Sequence, residues 1–144
     1  MQEIEKYKGI AKKVRREILE MVYQKKMPHI GSAFSIVEIL VSLYFKCLSV
    51  SPEDKKDKNR DIFILSKGHS CSAFYAVLSE RGFFKKEILK KFAVNKGLLE
   101  GHPTRNLDLG IEVTTGSLGH GLSIGAGMAL ARKLNNLKSR VFVL

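Results

Sequence analysis

The segment Asp61-Ile62-Phe63-Ile64-Leu65 constrains the fold more than any other, because an apolar run of this length, opened by one acid, suits a strand covered on both faces. Such strands belong to parallel sheets, and parallel pairing requires helical crossovers. Ser66-Lys67-Gly68-His69 leaves the carboxyl end of the run, and Ser70 to Arg81 resumes as a helix closed by Gly82. That turn lies where open α/β sheets bind their ligands, and His69 occupies it. A second apolar run, Arg140-Val141-Phe142-Val143-Leu144, reads as another buried strand. The expectation is an α/β fold, a parallel sheet flanked by helices, with residues 1–144 forming one domain. The domain reads as incomplete, since a core strand at the last residue argues for a larger whole.

The remaining segments fit this frame. From Ile4 to Met21 apolar residues recur every three or four positions, which predicts an amphipathic helix ending near Lys25-Lys26, with Pro28 forbidding continuation. His29 then falls in a loop. Ser35 and Glu38 have capping-box spacing and predict a helix from Ile36 to Leu48 buried on most sides. Ser51 to Arg60 is a charged connection, and Phe84 to Phe92 predicts a short amphipathic helix. Ala93 to Ile111 reads as a long loop carrying Gly101-His102-Pro103, and long loops inside compact domains are usually functional. A last helix runs from Gly121 to about Leu134, and its interior Gly125 and Gly127 predict close packing against a strand or a ligand.

Composition narrows the classes. At 44% hydrophobic and 27% charged residues, the chain is neither disordered nor collagen-like. No apolar run reads as long enough to span a bilayer, and the amino terminus lacks the pattern of an export signal, so the expectation is a soluble cytoplasmic protein with no membrane partner. Cys47 and Cys71 are too few and too far apart for a metal knuckle and fit a reduced compartment. The net charge of +11 attracts anions without defining a fold. Its lysines are scattered and lack interleaved aromatics, which favours a solvated basic surface over a nucleic-acid site.

The candidate site centres on Glu112 to Gly127, where Gly116, Gly119 and Gly121 precede the last helix. By itself this loop is equally a tight turn or a phosphate cradle at a helix amino terminus. The histidines shift the balance. His29, His69, His102 and His120 all lie beside glycines in predicted turns rather than in apolar stripes. Their separations match no local zinc motif. Imidazoles gathered without metal suit proton transfer and hydrogen bonding to hydroxyl or carbonyl oxygens. With a phosphate cradle and a basic exterior, they suggest a phosphorylated polyol or a diphosphate cofactor.

At these same residues the sequence resembles the amino-terminal part of transketolase. The resemblance is carried by His29-Ile30-Gly31-Ser32, Ser66-Lys67-Gly68-His69, Gly101-His102-Pro103 and Thr114-Thr115-Gly116-Ser117-Leu118-Gly119-His120-Gly121, in this order. It covers nearly the whole chain and is strongest to the split form, whose amino-terminal half is a separate subunit. It implies the thiamine diphosphate-binding fold and transfer of a two-carbon ketol unit between sugar phosphates, in the pentose phosphate pathway. By the resemblance, His69, Gly116, Ser117 and Leu118 would contact thiamine diphosphate, and His29 and His102 would act on the donor substrate. It also implies a divalent metal, magnesium or calcium, whose ligands this chain does not supply. A pyrimidine-binding domain or carboxyl-terminal subunit would be the partner, supplying the glutamate that activates the cofactor, in a dimer or heterotetramer.

Departures are local. Pro28 replaces a glycine common before the first histidine, and His120 stands where glutamine is common, so His120 receives no assigned role. The Gly-Asp-Gly metal motif, expected directly after Leu144, is absent, and the chain alone is expected to be inactive. Two alternatives stand beside this reading: part of a deoxyxylulose-phosphate synthase-like thiamine enzyme, or a non-enzymatic basic α/β module binding nucleic acid or anions.

Overall fold

The computed structural model describes residues 1–144. Two strands, β1 (Ile62–Ile64) and β2 (Val141–Val143), pair in parallel, with Ile62 opposite Val141, Phe63 opposite Phe142 and Ile64 opposite Val143. Alternation sends Phe63 to one face, where its ring lies 5.6 Å from Tyr44 and 5.2 Å from Phe74. Ile64, Val141 and Val143 reach the other face, against the helix α5 (His120–Leu134). The close contact there is Gly125, where an added Cβ would stand 2.5 Å from Val143 Cγ2. The expected close packing thus holds at Gly125, while Gly127 has nothing within 4 Å of an added Cβ.

A buried acid ties the two strands together where they begin. Asp61 is 3% exposed; its Oδ1 accepts the Arg140 N–H at 2.7 Å, and its Oδ2 accepts the Ser49 N–H at 2.9 Å and an Arg140 guanidinium nitrogen at 2.6 Å. Burial alone would raise its pKa, but the guanidinium and the two backbone N–H groups outweigh it and hold the carboxyl below its usual range.

Helix α1 (Gln2–Lys25) buries Ala11, Val14, Ile18, Met21 and Val22, and Lys26 ends it in a left-handed conformation at φ 50°. It packs on α3 (Val37–Ser42) and on α4 (Cys71–Arg81), which is buried from Cys71 to Ser79 and closed by Gly82 at φ 94°. That burial all round marks α4 as the central helix.

Five expectations are corrected. The helix expected from Ile36 to Leu48 is present as two contiguous pieces, α3 and a π turn over Leu43–Cys47 closed by Leu48 N–H to Leu43 O at 2.8 Å, and a separate short helix, α2 (Ile30–Phe34), precedes it where a loop was expected. The capping box does not form, because the Ser35 hydroxyl donates back to Ser32 O and Glu38 pairs with Arg15. Ile30–Cys47 also has, over 18 residues, a mean hydropathy of 1.5, enough by length and composition to cross a bilayer, contrary to the expectation of no such run. Here it is broken at Ser35-Ile36 and sends Ala33, Val37, Leu40, Val41 and Tyr44 into the protein core. Phe84 to Phe92 forms a 3-10 turn over Lys86–Lys91 rather than an α-helix, and β2 is half-buried rather than buried.

Candidate functional site

The turn after β1 places His69 beside His29, with ring centroids 5.1 Å apart and planes at 61°. His29 is the amino-terminal cap of α2 and takes φ 76°, a left-handed conformation costly for a residue with a Cβ. Gly31 and Ser32, expected in a loop, belong to the first turn of α2. The Ser32 and Ser70 hydroxyl oxygens lie 2.5 Å apart, so one hydrogen bond links the two histidine-bearing turns. Lys67 extends from the same turn and donates to the Ser35 hydroxyl at 3.2 Å.

The second half of the site is held against the first by Thr115. Its hydroxyl donates to Leu65 O at 2.7 Å, and its N–H donates to Pro103 O at 3.1 Å. Thr115 therefore joins the end of β1 to the Gly101-His102-Pro103 loop. A Cβ on Gly68 would stand 2.8 Å from Thr115 O, so only glycine allows this approach. A Cβ on Gly116 would meet His102 Cδ2 at 3.9 Å, which puts Gly116 next to that imidazole. The structure thus brings His29, His69, His102 and Gly116 to one mouth at the carboxyl end of β1. His29 and His102 are exposed and His69 is half-buried.

Ser117 and Leu118 continue the loop, and Leu118 is 70% exposed. The backbone N–H groups of Gly116, Ser117, Leu118 and Gly119 donate to nothing within the chain. Gly119 takes φ 87° as the amino-terminal cap of α5, and the Gly121 N–H donates to the Ser66 hydroxyl at 3.1 Å, fastening α5 to the turn after β1. His120 is the first residue of α5 rather than a loop residue, and it is exposed.

The electrostatics favour an anion. Burial, followed by the neighbouring His29, Lys67 and His102 side chains, lowers the His69 pKa below that of an ordinary histidine. No carboxylate contributes to that shift. The Lys67 ammonium and imidazole N–H donors beside free backbone N–H groups suit a diphosphate. For a metal the residues do not fit: no group of three or more His, Cys, Asp or Glu side chains is disposed to hold one.

Sequence reasoning missed the supports of this site. The Ser32–Ser70 link and the Thr115 bridge join segments distant in the chain, and no periodicity marks such contacts. It also missed Arg60, which pairs with Glu112 at 2.8 Å with both side chains nearly buried, fixing the start of the site loop to the start of β1.

Residues 6–140 match the family described as transketolase, thiamine diphosphate binding domain. An apulose-4-phosphate transketolase subunit of Phocaeicola vulgatus is 41% identical over 134 residues, 93% of this chain and 47% of that protein. The 6-deoxy-6-sulfo-D-fructose transketolase subunit SqwG of a Clostridium species is 35% identical over 131 residues, 91% of this chain and 48% of that protein. The chain spans about half the length of these curated relatives. Among solved structures, transketolase from Leishmania mexicana superimposes with a TM-score of 0.84 at 26% identity, over 95% of this chain and 22% of that one.

Proposed function

The chain belongs to the transketolase family through its thiamine diphosphate-binding domain, and on that premise we propose that it is the diphosphate-binding part of an enzyme moving a two-carbon ketol unit between anionic sugars. The observation that carries this reading is the convergence of His29, His69, His102 and Gly116 beside the free N–H groups of Gly116 to Gly119.

Each residue has a role suited to its surroundings. His69 and the N–H groups of Gly116, Ser117 and Leu118 hold the diphosphate, and the exposed Leu118 side chain offers an apolar surface to the rest of the cofactor. Thiamine diphosphate, when bound, supplies the carbanion chemistry of its thiazolium ring. His29 and His102 orient the donor ketose by hydrogen bonds to its carbonyl and hydroxyl oxygens, and hold or release protons at their ring nitrogens. A divalent cation, magnesium or calcium, belongs to the complete enzyme, with protein ligands from outside these residues. Relatives named for apulose 4-phosphate and 6-deoxy-6-sulfo-D-fructose support a ketose carrying a terminal anion as substrate.

A pyrimidine-binding domain or carboxyl-terminal transketolase subunit completes the enzyme, as a dimer or heterotetramer. The relatives named as subunits support such a partner. The exposed free thiol of Cys47 suits a reduced cytoplasmic location.

Calorimetric titration with thiamine diphosphate and magnesium, alongside duplex DNA at two salt concentrations, tests the reading. Saturable cofactor binding is expected, and His69→Ala should weaken it more than tenfold, about 1.4 kcal/mol. Steeply salt-dependent DNA binding with no response to the cofactor would replace this reading with that of a basic anion-binding module.

A further inference from the structure

Four consecutive carbonyls, those of Glu100, Gly101, His102 and Pro103, each accept a hydrogen bond from elsewhere in the chain. The Tyr75 hydroxyl lies 3.0 Å from Glu100 O and 3.2 Å from His102 O, and the Cys71 thiol donates to Gly101 O at 3.1 Å. The Thr115 N–H takes Pro103 O. Tyr75 and Cys71 stand one turn apart on α4, so they lie on one face of that helix. Both are buried, at 0% and 2% exposure. A loop with no secondary structure of its own is thereby held along its length by the central helix on one side and the site loop on the other.

We infer that Tyr75, with Cys71, is a positioning residue for His102, setting where its imidazole stands through the backbone that carries it. A hydroxyl has one proton, so Tyr75 shares it between two carbonyls that flank Gly101. It thereby fixes the peptide planes before Gly101 and after His102, while Cys71 holds the plane between them, so that the glycine does not leave His102 free to swing. The ring is packed as firmly as the hydroxyl, 6.0 Å from Phe92 and 6.4 Å from Phe74. Burial pushes the Cys71 thiol up to about 12 and raises the Tyr75 phenol well above its usual value, so both remain protonated donors at any working pH. The His102 side chain itself is exposed and available to a ligand while its backbone is clamped.

The inference rests on His102 meeting the donor substrate, as proposed above, and its test separates the two ideas. Tyr75→Phe removes one hydroxyl and leaves the ring packing in place. The chain has four histidines, so imidazole proton signals can be assigned by replacing His102 with Asn. In Tyr75→Phe, the Glu100 and His102 carbonyl carbon resonances and the His102 imidazole signals should move, while those of His29 and His69 stay put. In the complete enzyme carrying this segment, kcat/KM for donor ketose should fall about tenfold with the dissociation constant for thiamine diphosphate within twofold of wild type. The loss should vanish when Tyr75→Phe is added to His102→Ala.

Unmoved His102 signals in Tyr75→Phe, or a loss of turnover that adds fully to that of His102→Ala, would overturn the positioning role. If His102→Ala itself leaves turnover intact, the substrate-facing role of His102 fails, and the resonance shifts still decide whether the clamp sets its place. Should Tyr75→Phe not fold, Cys71→Ala carries the same test through the Gly101 carbonyl resonance and the His102 imidazole signals, and Cys71→Ser should restore both.

Discussion

His29 holds a conformation that a residue with a Cβ adopts at a cost of about 1–2 kcal/mol, in the turn that faces His69. Backbone strain kept at a ligand-facing turn motivates a functional assignment. Glycine at this position would relieve the strain while removing the imidazole. His29→Gly is therefore expected to leave the free energy of unfolding unchanged or raised by up to about 1 kcal/mol, while donor turnover in the complete enzyme falls with cofactor affinity retained. A denaturant melt beside steady-state kinetics checks it, and a large loss of stability would make His29 a structural residue. The second residue-scale prediction concerns His69, whose pKa is lowered by burial and by its neighbours His29, Lys67 and His102. A histidine with a depressed folded pKa binds fewer protons than its unfolded counterpart below about pH 6.5, so its contribution makes the fold less stable as pH falls through that value. A bound diphosphate reverses the field at the ring. Its titration, followed by the imidazole proton signal, should therefore move upward when thiamine diphosphate is added, and a midpoint unchanged by cofactor would remove His69 from the diphosphate site.

Single elements explain both what the sequence displayed and what it concealed. Helix α5 carries two glycines with opposite surroundings: a Cβ at Gly125 would collide with Val143, and one at Gly127 would meet nothing. Gly127→Ala should therefore stabilise the protein by about 0.5–1 kcal/mol, the difference in helix propensity. Gly125→Leu should destabilise it by about 1–3 kcal/mol by driving α5 off the sheet. Thermal melts of the two variants give the comparison, and equal effects would mean that α5 does not seat on β2 as described. The strand Ile62–Ile64 and its turn were legible because an apolar run and a glycine turn are local signals. The short helix α2 was not, since its residues read as the loop carrying His29, and the apparent cap at Ser35 turns its hydroxyl back to Ser32 O instead. At the site, the ordered histidine and glycine motifs could be read along the chain, and their convergence at one mouth was expected from the resemblance. The contacts that hold them there, from Thr115, Tyr75, Cys71 and Arg60, depend on folded distances that no spacing encodes.

Across the whole molecule, packing and charge are unevenly spread. Helices α1, α3 and α4 enclose a core, whereas α5 buries only Gly121 and Gly125 and leaves Leu122, Leu130 and Leu134 exposed. The site mouth is equally one-sided, since the groups acting on His69 are His29, Lys67 and His102, and no carboxylate is among them. Such a mouth can hold a diphosphate. Ketol transfer asks for more: by the resemblance to transketolase a glutamate of a pyrimidine-binding domain would activate the cofactor, and no acidic cluster here is disposed to hold a metal. The 144-residue chain should therefore bind thiamine diphosphate weakly and show no ketol transfer from a ketose phosphate donor to an aldose phosphate acceptor, with magnesium present. Addition of a carboxyl-terminal transketolase subunit should produce turnover and tighten cofactor binding, because the partner would bring the missing acid and cover apolar surface around the mouth. A coupled assay of the aldose released, run with and without the partner, distinguishes the outcomes. Robust turnover by the chain alone would mean that one of its own carboxylates, such as Glu112 beside Arg60 at the start of the site loop, serves where a partner's glutamate is proposed.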